Sequence, residues 1–578
     1  MSIRQLLRLA YFALIFPPVP FPAAAEDLTN SIRVFLQQRA EVEKPGGIVV
    51  GLVDEHGSSI VSWGKLENGT GRPVAGDTLF SIGSVTKTFT ALLLQDMIAR
   101  GEMKLHDPVA KYLPQSVKMP TRNGKEITLR QLVIHTSGLP ANPDNLGPSW
   151  ADYRADQLYA FLSGYKLRHD PGARYHYSNL GASLLGHVIA LKAGTNYESL
   201  VVDRICRPLR MNDTLITLTP ELKARFVGPD DNRSPVFYAQ GGLRSTANDL
   251  LKYVSAMLGL TRTSLTPLIE KTHEVHDQSG APTQNLSSWF VVSDPQGRKF
   301  VLHDGDAGAC SSFVVFDESR RRGVVVLCSP GDANGVADIG RVLIESEWQG
   351  DGRPKATNVS TQVYAAYVGQ YQRSGVANTP SLPGIGIRLE GGRIIAQATG
   401  PRSWPMRALL PGVEGELLPE SETRLFGRLS GIPITFSRDA RDKVSGLTVQ
   451  FGSDIFHYEK ISDQPPNPPE PPKRRVAIRL DTKLLDVCVG HYEFLTNGMK
   501  LTLRRDGDKL VSQAWVEDDT DGPVDVFPES ETEFFDRFGN QWTFIKNDKR
   551  EVTTVILHGA NFPGWQGKKM SDPSQRRM

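Results

Sequence analysis

Ser84 and Lys87, three residues apart, stand at the start of a run whose apolar spacing predicts a helix ending at Gly101. On the first turn of a helix, residues i and i+3 share a face, so the lysine amine can take the proton of the serine hydroxyl. The same spacing recurs at Ser62–Lys65, in a stretch that alternates like a strand, and at Ser163–Lys166, before a polar segment. Only the first copy therefore predicts an activated nucleophile.

Two clusters further along the chain supply the other groups that acyl transfer needs. The first contains Tyr177 and Asn179, after a Pro-Gly pair, and the second is His303–Gly305, after a short apolar strand. A phenol near a cation can pass a proton to the leaving group, and an asparagine can bond both Lys87 and an acyl amide. The Ser84 N–H, at a helix N-terminus, is half of an oxyanion hole. Each cluster alone is typical of a turn, and only their combination predicts an enzyme.

In order and spacing, these motifs resemble the serine β-lactamase and penicillin-binding-protein superfamily, in its class C branch. The resemblance covers about residues 40–345 and includes the segments 127–140 and 241–246. That branch also contains D-alanyl-D-alanine carboxypeptidases, D-aminopeptidases and esterases. The resemblance implies that Ser84, Lys87 and Tyr177 are catalytic and that the substrate is bound by Asn179, His303, Gly305 and the backbone N–H of Asp306.

The third motif departs from the family pattern. Class C β-lactamases have Lys-Thr-Gly where this chain has His303–Gly305. A lysine there is a permanent cation that binds a substrate carboxylate, whereas a histidine is cationic only below a pKa near 6.5, and Asp304 adds negative charge. D-aminopeptidases and esterases of the superfamily have a histidine at this place. The departure therefore favours neutral substrates, or substrates whose charge is a free amine.

We accordingly predict a serine hydrolase that forms an acyl-enzyme at Ser84 and cleaves amide or ester bonds of D-amino-acid peptides, as D-aminopeptidases do. A D-alanyl-D-alanine carboxypeptidase or penicillin-binding protein, an esterase and a class C β-lactamase stay open as alternatives. A non-catalytic protein that binds a cell-wall ligand is the alternative from another class. The expected partner is a small peptide, amide or ester, without a metal or cofactor, and the oligomeric state stays open.

The N-terminal segment predicts export. Arg4 and Arg8 precede a short apolar run broken by prolines, and Ala23–Ala25 supplies small residues for cleavage. Residues 1–25 are thus predicted to be a signal peptide, and the mature protein to be periplasmic or secreted. Since this segment holds two of the 66 basic residues and none of the 64 acidic ones, the remainder is electrically balanced. Such a balance predicts no attraction to nucleic acid, and no segment predicts stable membrane insertion.

The chain has four cysteines, Cys206, Cys310, Cys328 and Cys488, too few for a disulfide scaffold. Cys310 and Cys328 bracket a predicted hairpin, and an oxidising compartment permits a bridge between them. The alternative is that both are small buried residues, and the sequence leaves the choice open.

We predict an α+β protein in which residues 26–350 form the β-lactamase-like serine hydrolase domain, an antiparallel sheet flanked by helices with a helical lobe. Two later segments repeat: Val368–Tyr371 recurs as Val489–Tyr492, and Pro419–Thr423 as Pro528–Thr532. Repeated short strands with turn signals predict two small antiparallel β-barrels. We assign the first barrel to residues 356–462 and the second barrel to residues 481–566. The Pro-rich linker between them covers residues 463–480. The resemblance to D-aminopeptidases extends to this architecture.

Overall fold

The structure is a computed structural model of the chain, and it describes most of residues 28–570. The described ranges are 28–37, 46–66, 70–146, 150–228, 233–276, 284–293, 297–307, 310–329, 333–346, 355–374, 384–399, 409–410, 414–451, 454–468, 477–494, 499–516, 519–520, 524–536, 540–559 and 562–570. The predicted signal peptide lies outside them. Among the described residues, no helix has the length and apolar character that crossing a membrane requires.

The first part of the chain is built on an eight-stranded antiparallel sheet with the order β2-β1-β10-β9-β8-β7-β6-β5. The strands are β1 (Gly47–Asp54), β2 (Gly57–Gly64), β5 (Val275–His276), β6 (Gln284–Leu286), β7 (Trp289–Ser293), β8 (Lys299–Ala307), β9 (Cys310–Asp317) and β10 (Arg322–Ser329). A separate two-stranded pairing joins β3 (Phe80–Ser81) and β4 (Arg244–Ser245). Strands β1 and β9 are buried along their whole length, which explains their nearly continuous apolar sequences.

The helical lobe and the covering helices lie on opposite faces of this sheet. The helices are α1 (28–37), α2 (Thr86–Ala99), α3 (Leu129–Val133), α4 (Ala155–Gly164), α5 (Asn179–Ala193), α6 (Tyr197–Val201), α7 (Pro220–Lys223), α8 (Tyr238–Gly241), α9 (Ala247–Met257), α10 (Thr266–Thr272) and α11 (Ala333–Glu345). One core packs the sheet against α2, α5 and α9, and the other packs it against α1 and α11. Helix α2 confirms the predicted helix, and it is buried on all sides rather than along one stripe.

The two faces of the sheet decide the question of the cysteine bridge. Cys328 on β10 is paired with Ser311 on β9, so Cys310, one residue away, points to the other face. Cys310 is accordingly buried in the core with α2, and Cys328 in the core with α11. All four cysteines are buried, and none of them forms a disulfide bond. The bridge considered from the sequence is therefore wrong, because the strand register separates the two thiols.

Two closed eight-stranded barrels come next in the chain, as the repeated sequence predicts. The first contains α12 (Thr361–Tyr364), β11 (Gly369–Arg373), β12 (Gly384–Glu390), β13 (Arg393–Thr399), β14 (Glu414–Pro419), β15 (Arg424–Gly427), β16 (Pro433–Arg438), β17 (Val444–Phe451) and β18 (Asp454–Ser462). The second contains α13 (Thr482–Asp486), β19 (Gly490–Phe494), β20 (Lys500–Asp506), β21 (Lys509–Val516), β22 (Asp519–Thr520), β23 (Val524–Pro528), β24 (Glu533–Asp536), β25 (Gln541–Lys546), β26 (Val552–Gly559) and β27 (Phe562–Lys569). A β20–β21 pairing closes it, with β22 as a short extra strand.

The first barrel contacts both its neighbours in the chain. Leu429, in the turn between β15 and β16, is buried in the core that contains α1 and α11. On another side, Pro466 packs against Gly386 of β12, and the Gln397 amide donates to the Asn467 carbonyl at 3.0 Å. The start of the predicted linker therefore lies along the barrel wall, and the barrel shares apolar burial with the first domain.

Candidate active site

Ser84 lies in a one-turn 3₁₀ helix, Gly83–Val85, that leads directly into α2. Gly83 has a φ of +47°, which a residue with a side chain adopts only with strain. A Cβ there would also come within 2.6 Å of the backbone nitrogen of Asp306. Both the backbone conformation and the close approach therefore require glycine at position 83, and they bring the backbone of Ser84 against strand β8. Ser84 itself is partly exposed, while the residues on either side are buried.

Lys87 is fully buried and lies next to Ser84. Its Nζ donates to Ser84 Oγ at 2.9 Å and to the Gln240 carbonyl at 2.7 Å. Burial lowers the pKa of the amine well below its usual value, the positive charge of Arg233 lowers it further, and the negative charge of Asp304 acts in the opposite direction. A neutral amine bonded to a serine hydroxyl is a competent base.

Tyr177 completes the group around Ser84. Lys87 Nζ lies 4.9 Å from the centre of its ring, and the Ser84 side chain is close enough to act on the pKa of its hydroxyl. Burial raises the pKa of the phenol above its ordinary value, so the hydroxyl keeps its proton at neutral pH. The ring is fixed because the next residue, Ser178, caps α5 by accepting the Gly181 N–H at 2.8 Å.

His135 supports the tyrosine from behind. The two rings lie 4.6 Å apart, and His135 Nδ1 accepts the Ser178 N–H at 3.2 Å. The His135 carbonyl accepts the His176 N–H at 2.7 Å. Burial lowers the pKa of the imidazole, with the charge of Lys87 adding to the effect. His135 is therefore a structural partner of the Tyr177 loop.

Asn179 stands at the first position of α5, one residue beyond the cap. Its amide donates to Asn142 Oδ1 at 3.4 Å, while the Lys87 amine is bonded to Ser84 and Gln240. The predicted bond between Asn179 and Lys87 therefore stays a prediction, as does its contact with an acyl amide.

His303 is buried on strand β8, with its ring 5.0 Å from that of Phe290. Its Nδ1 lies 2.6 Å from the Asp304 carbonyl oxygen, which only accepts hydrogen bonds, so Nδ1 carries the proton. Burial lowers the pKa of the imidazole to about 4, although Asp304 favours the charged form. Neutral His303 therefore presents a bare acceptor, Nε2, which is buried and has no partner among the described residues. The third motif supplies an acceptor here rather than a cation.

The backbone of β8 contacts that of the nucleophile. A Cβ on Gly305 would lie 2.1 Å from the Ile82 carbonyl and 2.9 Å from the Ser84 nitrogen, so only glycine fits. Ser312 Oγ donates to the same Ile82 carbonyl at 2.9 Å and fixes the approach. The nitrogens of Ser84 and Asp306 are thereby brought to one place, as an oxyanion hole requires. Among the described residues, no group of three His, Cys, Asp or Glu side chains is arranged to hold a metal.

The structure therefore brings the three motifs together, from a helix, the loop before a second helix, and a strand. A family profile described as Beta-lactamase matches residues 33–346, more than half of the chain. The protein belongs to this family. The fold is accordingly a β-lactamase-type catalytic domain followed by two β-barrels.

Among individual relatives, the chain is 32% identical over 224 residues to the D-alanyl-D-alanine-carboxypeptidase/endopeptidase AmpH of Escherichia coli K12. The match covers 37% of this chain and 57% of that protein. It is 27% identical to a beta-lactamase of the same organism, over 49% of this chain and 76% of the relative. A solved beta-lactamase/D-alanine carboxypeptidase from Yersinia pestis aligns with a TM-score of 0.49 and 22% identity, over 56% of this chain and 99% of its own.

Sequence reasoning missed two contributors to the site. One is the Gln240 carbonyl, which receives a Lys87 hydrogen bond across 153 residues of sequence. The other is Arg233, whose charge acts on Lys87. A backbone carbonyl leaves no residue-type signal. Arg233 belongs to no recognised motif, although it precedes the family-like segment 241–246 by only a few residues.

Proposed function

We propose that the protein is a serine hydrolase that works through an acyl-enzyme at Ser84. Ser84 Oγ attacks the carbonyl carbon of the substrate, and its proton passes to the neutral amine of Lys87. The Ser84 and Asp306 N–H groups stabilise the negative charge on the former carbonyl oxygen. When the bond breaks, the leaving nitrogen or oxygen takes a proton from the Tyr177 hydroxyl, which regains one from Lys87. Water then attacks the carbonyl carbon of the acyl-enzyme ester. The proton transfers run in the reverse direction, and Ser84 is released.

The neutral His303 is the observation that carries the substrate class. Its Nε2 is an acceptor without a partner in the part of the chain that the structure describes, and the neighbouring Asp304 is exposed and negatively charged. A substrate carboxylate against this strand would meet the like charge of Asp304 and no cation at position 303, whereas an ammonium or amide N–H would be stabilised. This favours D-amino-acid amides, peptides or esters with a free amine, the substrates of a D-aminopeptidase.

A D-alanyl-D-alanine carboxypeptidase is the second candidate, and the similarity to AmpH favours it. The two functions differ in the charge of the substrate group that lies against β8, because a carboxypeptidase binds a terminal carboxylate. Esterase and class C β-lactamase activity use the same nucleophile and are distinguished by the same experiment. For location we propose export to the periplasm or beyond, on the strength of the signal-like residues 1–25.

The test compares D-alanine p-nitroanilide with its N-acetyl form, together with intact mass after incubation with benzylpenicillin. We expect the wild type to cleave the free-amine substrate, and acetylation to reduce kcat/KM by about 100-fold or more, since it removes a charge-assisted hydrogen bond and a favourable charge. Ser84→Ala should abolish cleavage, and Ser163→Ala, from another S-x-x-K copy, should not.

The other outcomes select among the alternatives. Cleavage of N-acetyl-D-alanyl-D-alanine, or a stable penicillin adduct on the wild type alone, would replace the aminopeptidase assignment with a carboxypeptidase. Equal cleavage of the free and acetylated anilides would point to an unselective esterase-like site. Hydrolysis that survives Ser84→Ala would refute the nucleophile, and a non-catalytic ligand-binding role would then lead if no substrate were cleaved at all.

A further inference from the structure

A second buried side chain of α2, besides Lys87, is bonded to α8. Thr90 lies three residues further along α2 and therefore shares a face with Lys87. Its Oγ1 donates to the Ala239 carbonyl at 2.9 Å, and the next carbonyl of α8, that of Gln240, accepts the Lys87 amine at 2.7 Å. The spacing that joins Ser84 to Lys87 thus continues for one more helical turn, to a third side chain.

Helix α8 needs these two bonds because it is only one turn long. It covers Tyr238–Gly241, and the Gly242 N–H closes the turn on the Tyr238 carbonyl at 2.8 Å. The last carbonyls of a helix have no partner within it, so buried ones need a donor from elsewhere. Thr90 and Lys87 supply donors to two consecutive carbonyls. The carbonyl that holds the catalytic amine is therefore positioned in part by the bond of the carbonyl before it.

A tyrosine of α6 fixes the hydroxyl of Thr90. Tyr197 Oη lies 2.7 Å from Thr90 Oγ1, and both side chains are buried. The hydroxyl of Thr90 has one proton, which the Ala239 carbonyl receives, so the phenol is the donor of this pair. The Thr86 carbonyl, at 3.3 Å, is a more distant acceptor for the same proton. Burial raises the pKa of Tyr197, which therefore keeps its proton. Two directed hydrogen bonds thus lead from α6 through Thr90 to α8.

The Gln240 carbonyl matters because it orients the base. A neutral amine has two protons and one lone pair, so it takes the Ser84 proton only when the lone pair points at Ser84 Oγ. The bond to Gln240 uses one amine proton and restricts the rotation of the amine. After the transfer, the same carbonyl stabilises the ammonium ion through a charge-assisted hydrogen bond. A displaced α8 would weaken both effects.

We propose that Thr90 is a positioning residue that fixes α8 and thereby directs the lone pair of Lys87 toward Ser84. Tyr197 acts with it, because it holds the Thr90 hydroxyl. The Ser84 proton moves to Lys87, and none passes through Thr90. The inference rests on the proposed hydrolase function and deepens it, because it adds a residue that contacts neither the substrate nor the nucleophile.

The test uses kcat on whichever of three compounds the wild type cleaves fastest: D-alanine p-nitroanilide, its N-acetyl form or N-acetyl-D-alanyl-D-alanine. Thr90→Val keeps the shape of the side chain without its hydroxyl and should reduce kcat by about 10- to 100-fold, the range for a hydrogen bond that supports a charged group. Thr90→Ser keeps the hydroxyl and should stay within about 3-fold of the wild type. Tyr197→Phe should reduce kcat by about 3- to 10-fold alone and by less than about 2-fold in the Thr90→Val background, because both hydroxyls act through one bond.

The pH dependence of kcat/KM separates positioning from a loss of stability. Its acid limb reports the base of the free enzyme, and a weaker bond to the ammonium form lowers the pKa of Lys87. Thr90→Val should therefore move this limb to lower pH, by about half a pH unit or more. The other ionisable groups around the amine, which every variant keeps, are Arg233, Asp304, Tyr177, His135 and His303.

Thr88→Val is the matched control. Thr88 is also a buried threonine of α2; it donates to the Val85 carbonyl at 2.8 Å and accepts the Tyr253 hydroxyl at 3.1 Å, so its partners lie in the preceding turn and in α9. Thr88→Val should lower the midpoint of thermal unfolding about as much as Thr90→Val does. It should leave kcat within about 2-fold of the wild type and the acid limb in place.

Equal losses of kcat in Thr88→Val and Thr90→Val, without movement of the acid limb, would show that Thr90 serves the fold alone. They would overturn the proposal while the hydrolase stands, as would unchanged kinetics of Thr90→Val or fully additive losses with Tyr197→Phe. If Thr90→Val does not fold, Tyr197→Phe supports the proposal by a reduced kcat with the same movement of the limb, and overturns it without them. If the wild type cleaves none of the three compounds, the proposed function fails and the inference fails with it.

Discussion

The catalytic cleft and the tyrosine–lysine pair repeated in the two barrels treat buried polar groups in opposite ways. In the barrels, the Tyr371 hydroxyl donates to the Tyr367 carbonyl and the Tyr492 hydroxyl to the Cys488 carbonyl, both at 2.7 Å. A lysine follows the same rule in each copy: Lys460 and Lys569 donate to backbone carbonyls and lie 5.8 Å from the centres of these tyrosine rings. The tyrosine and the lysine that are repeated in the two barrels therefore have permanent hydrogen-bond partners within the protein.

In the cleft, by contrast, polar side chains are buried without a full set of hydrogen-bond partners. Lys87 is buried with a lowered pKa, and the Nε2 atoms of His135 and His303 have no partner among the described residues. Such groups reduce the stability of the domain, because burial removes their hydrogen bonds to water. The contrast distinguishes buried groups that serve the fold from those that serve the reaction, and substitutions in the two regions should separate stability from activity.

The largest effect is expected from Lys87. Lys87→Met removes the base and should lower kcat by about 100- to 10,000-fold, the usual range for general base catalysis. Lys87→Arg keeps a cation that cannot lose its proton, so it should be as inactive as Lys87→Met. Steady-state kinetics on the preferred substrate measures both variants. The control is Lys65→Met, which changes the exposed lysine of another S-x-x-K copy; activity retained by Lys87→Arg would show that the residue acts by charge alone.

The next effect concerns stability as a function of pH. Because the folded pKa of His303 is about 4 and an unfolded histidine titrates near 6.5, the unfolded chain binds the proton first as the pH falls. Stability is therefore full above pH 6.5 and is lost progressively between pH 6.5 and 4, by up to about 3 kcal/mol from this group.

Urea unfolding of the wild type and His303→Leu at pH 7.5 and pH 4.5 measures this loss. The variant should show a smaller decrease, and His56→Leu, which removes a histidine from an exposed turn, is the matched control. If the decrease is the same in all three proteins, the neutral state assigned to His303 is incorrect.

The smallest effects are expected in the barrels. Tyr371→Phe and Tyr492→Phe each leave a buried carbonyl without its donor and should each cost about 1–3 kcal/mol of unfolding free energy, with kcat unchanged. Tyr364→Phe is a matched control within the first barrel, because the Tyr364 hydroxyl is buried without a partner among the described residues. Thermal unfolding monitored by circular dichroism measures the loss of stability in each variant. A loss of activity in Tyr371→Phe or Tyr492→Phe would contradict the proposal that these barrel residues act on stability alone.

The sequence predicts the parts that depend on local pattern. Ser84 and Lys87 are recognisable because helical spacing places them on one face, and the barrels because Val368–Tyr371 and Val489–Tyr492 repeat. The cap of α9 is also local, because the Thr246 hydroxyl accepts the Asp249 N–H three residues later, at 3.2 Å.

Features that the sequence does not predict depend on contacts between distant segments. The tautomer of His303 is set by the position of a neighbouring carbonyl, and the effect of Arg233 on Lys87 depends on how distant segments pack. The separation of Cys310 from Cys328 is set by a strand register that no composition reveals. These features fix the chemistry of the site within a recognisable family, which explains why motif order identifies the family more readily than the substrate.

Leu429 constrains how such chains diversify. Because this one side chain of the first barrel fills a core of the catalytic domain, on the face opposite the cleft, the barrel cannot be exchanged without a matching change in that domain. Beyond its start at Pro466 and Asn467, which contact the first barrel, the proline-rich stretch between the barrels carries no such constraint in its sequence, and its length is free to drift. Gene rearrangements should therefore preserve the catalytic domain and first barrel as one inherited block, and vary mainly in the linker and the second barrel.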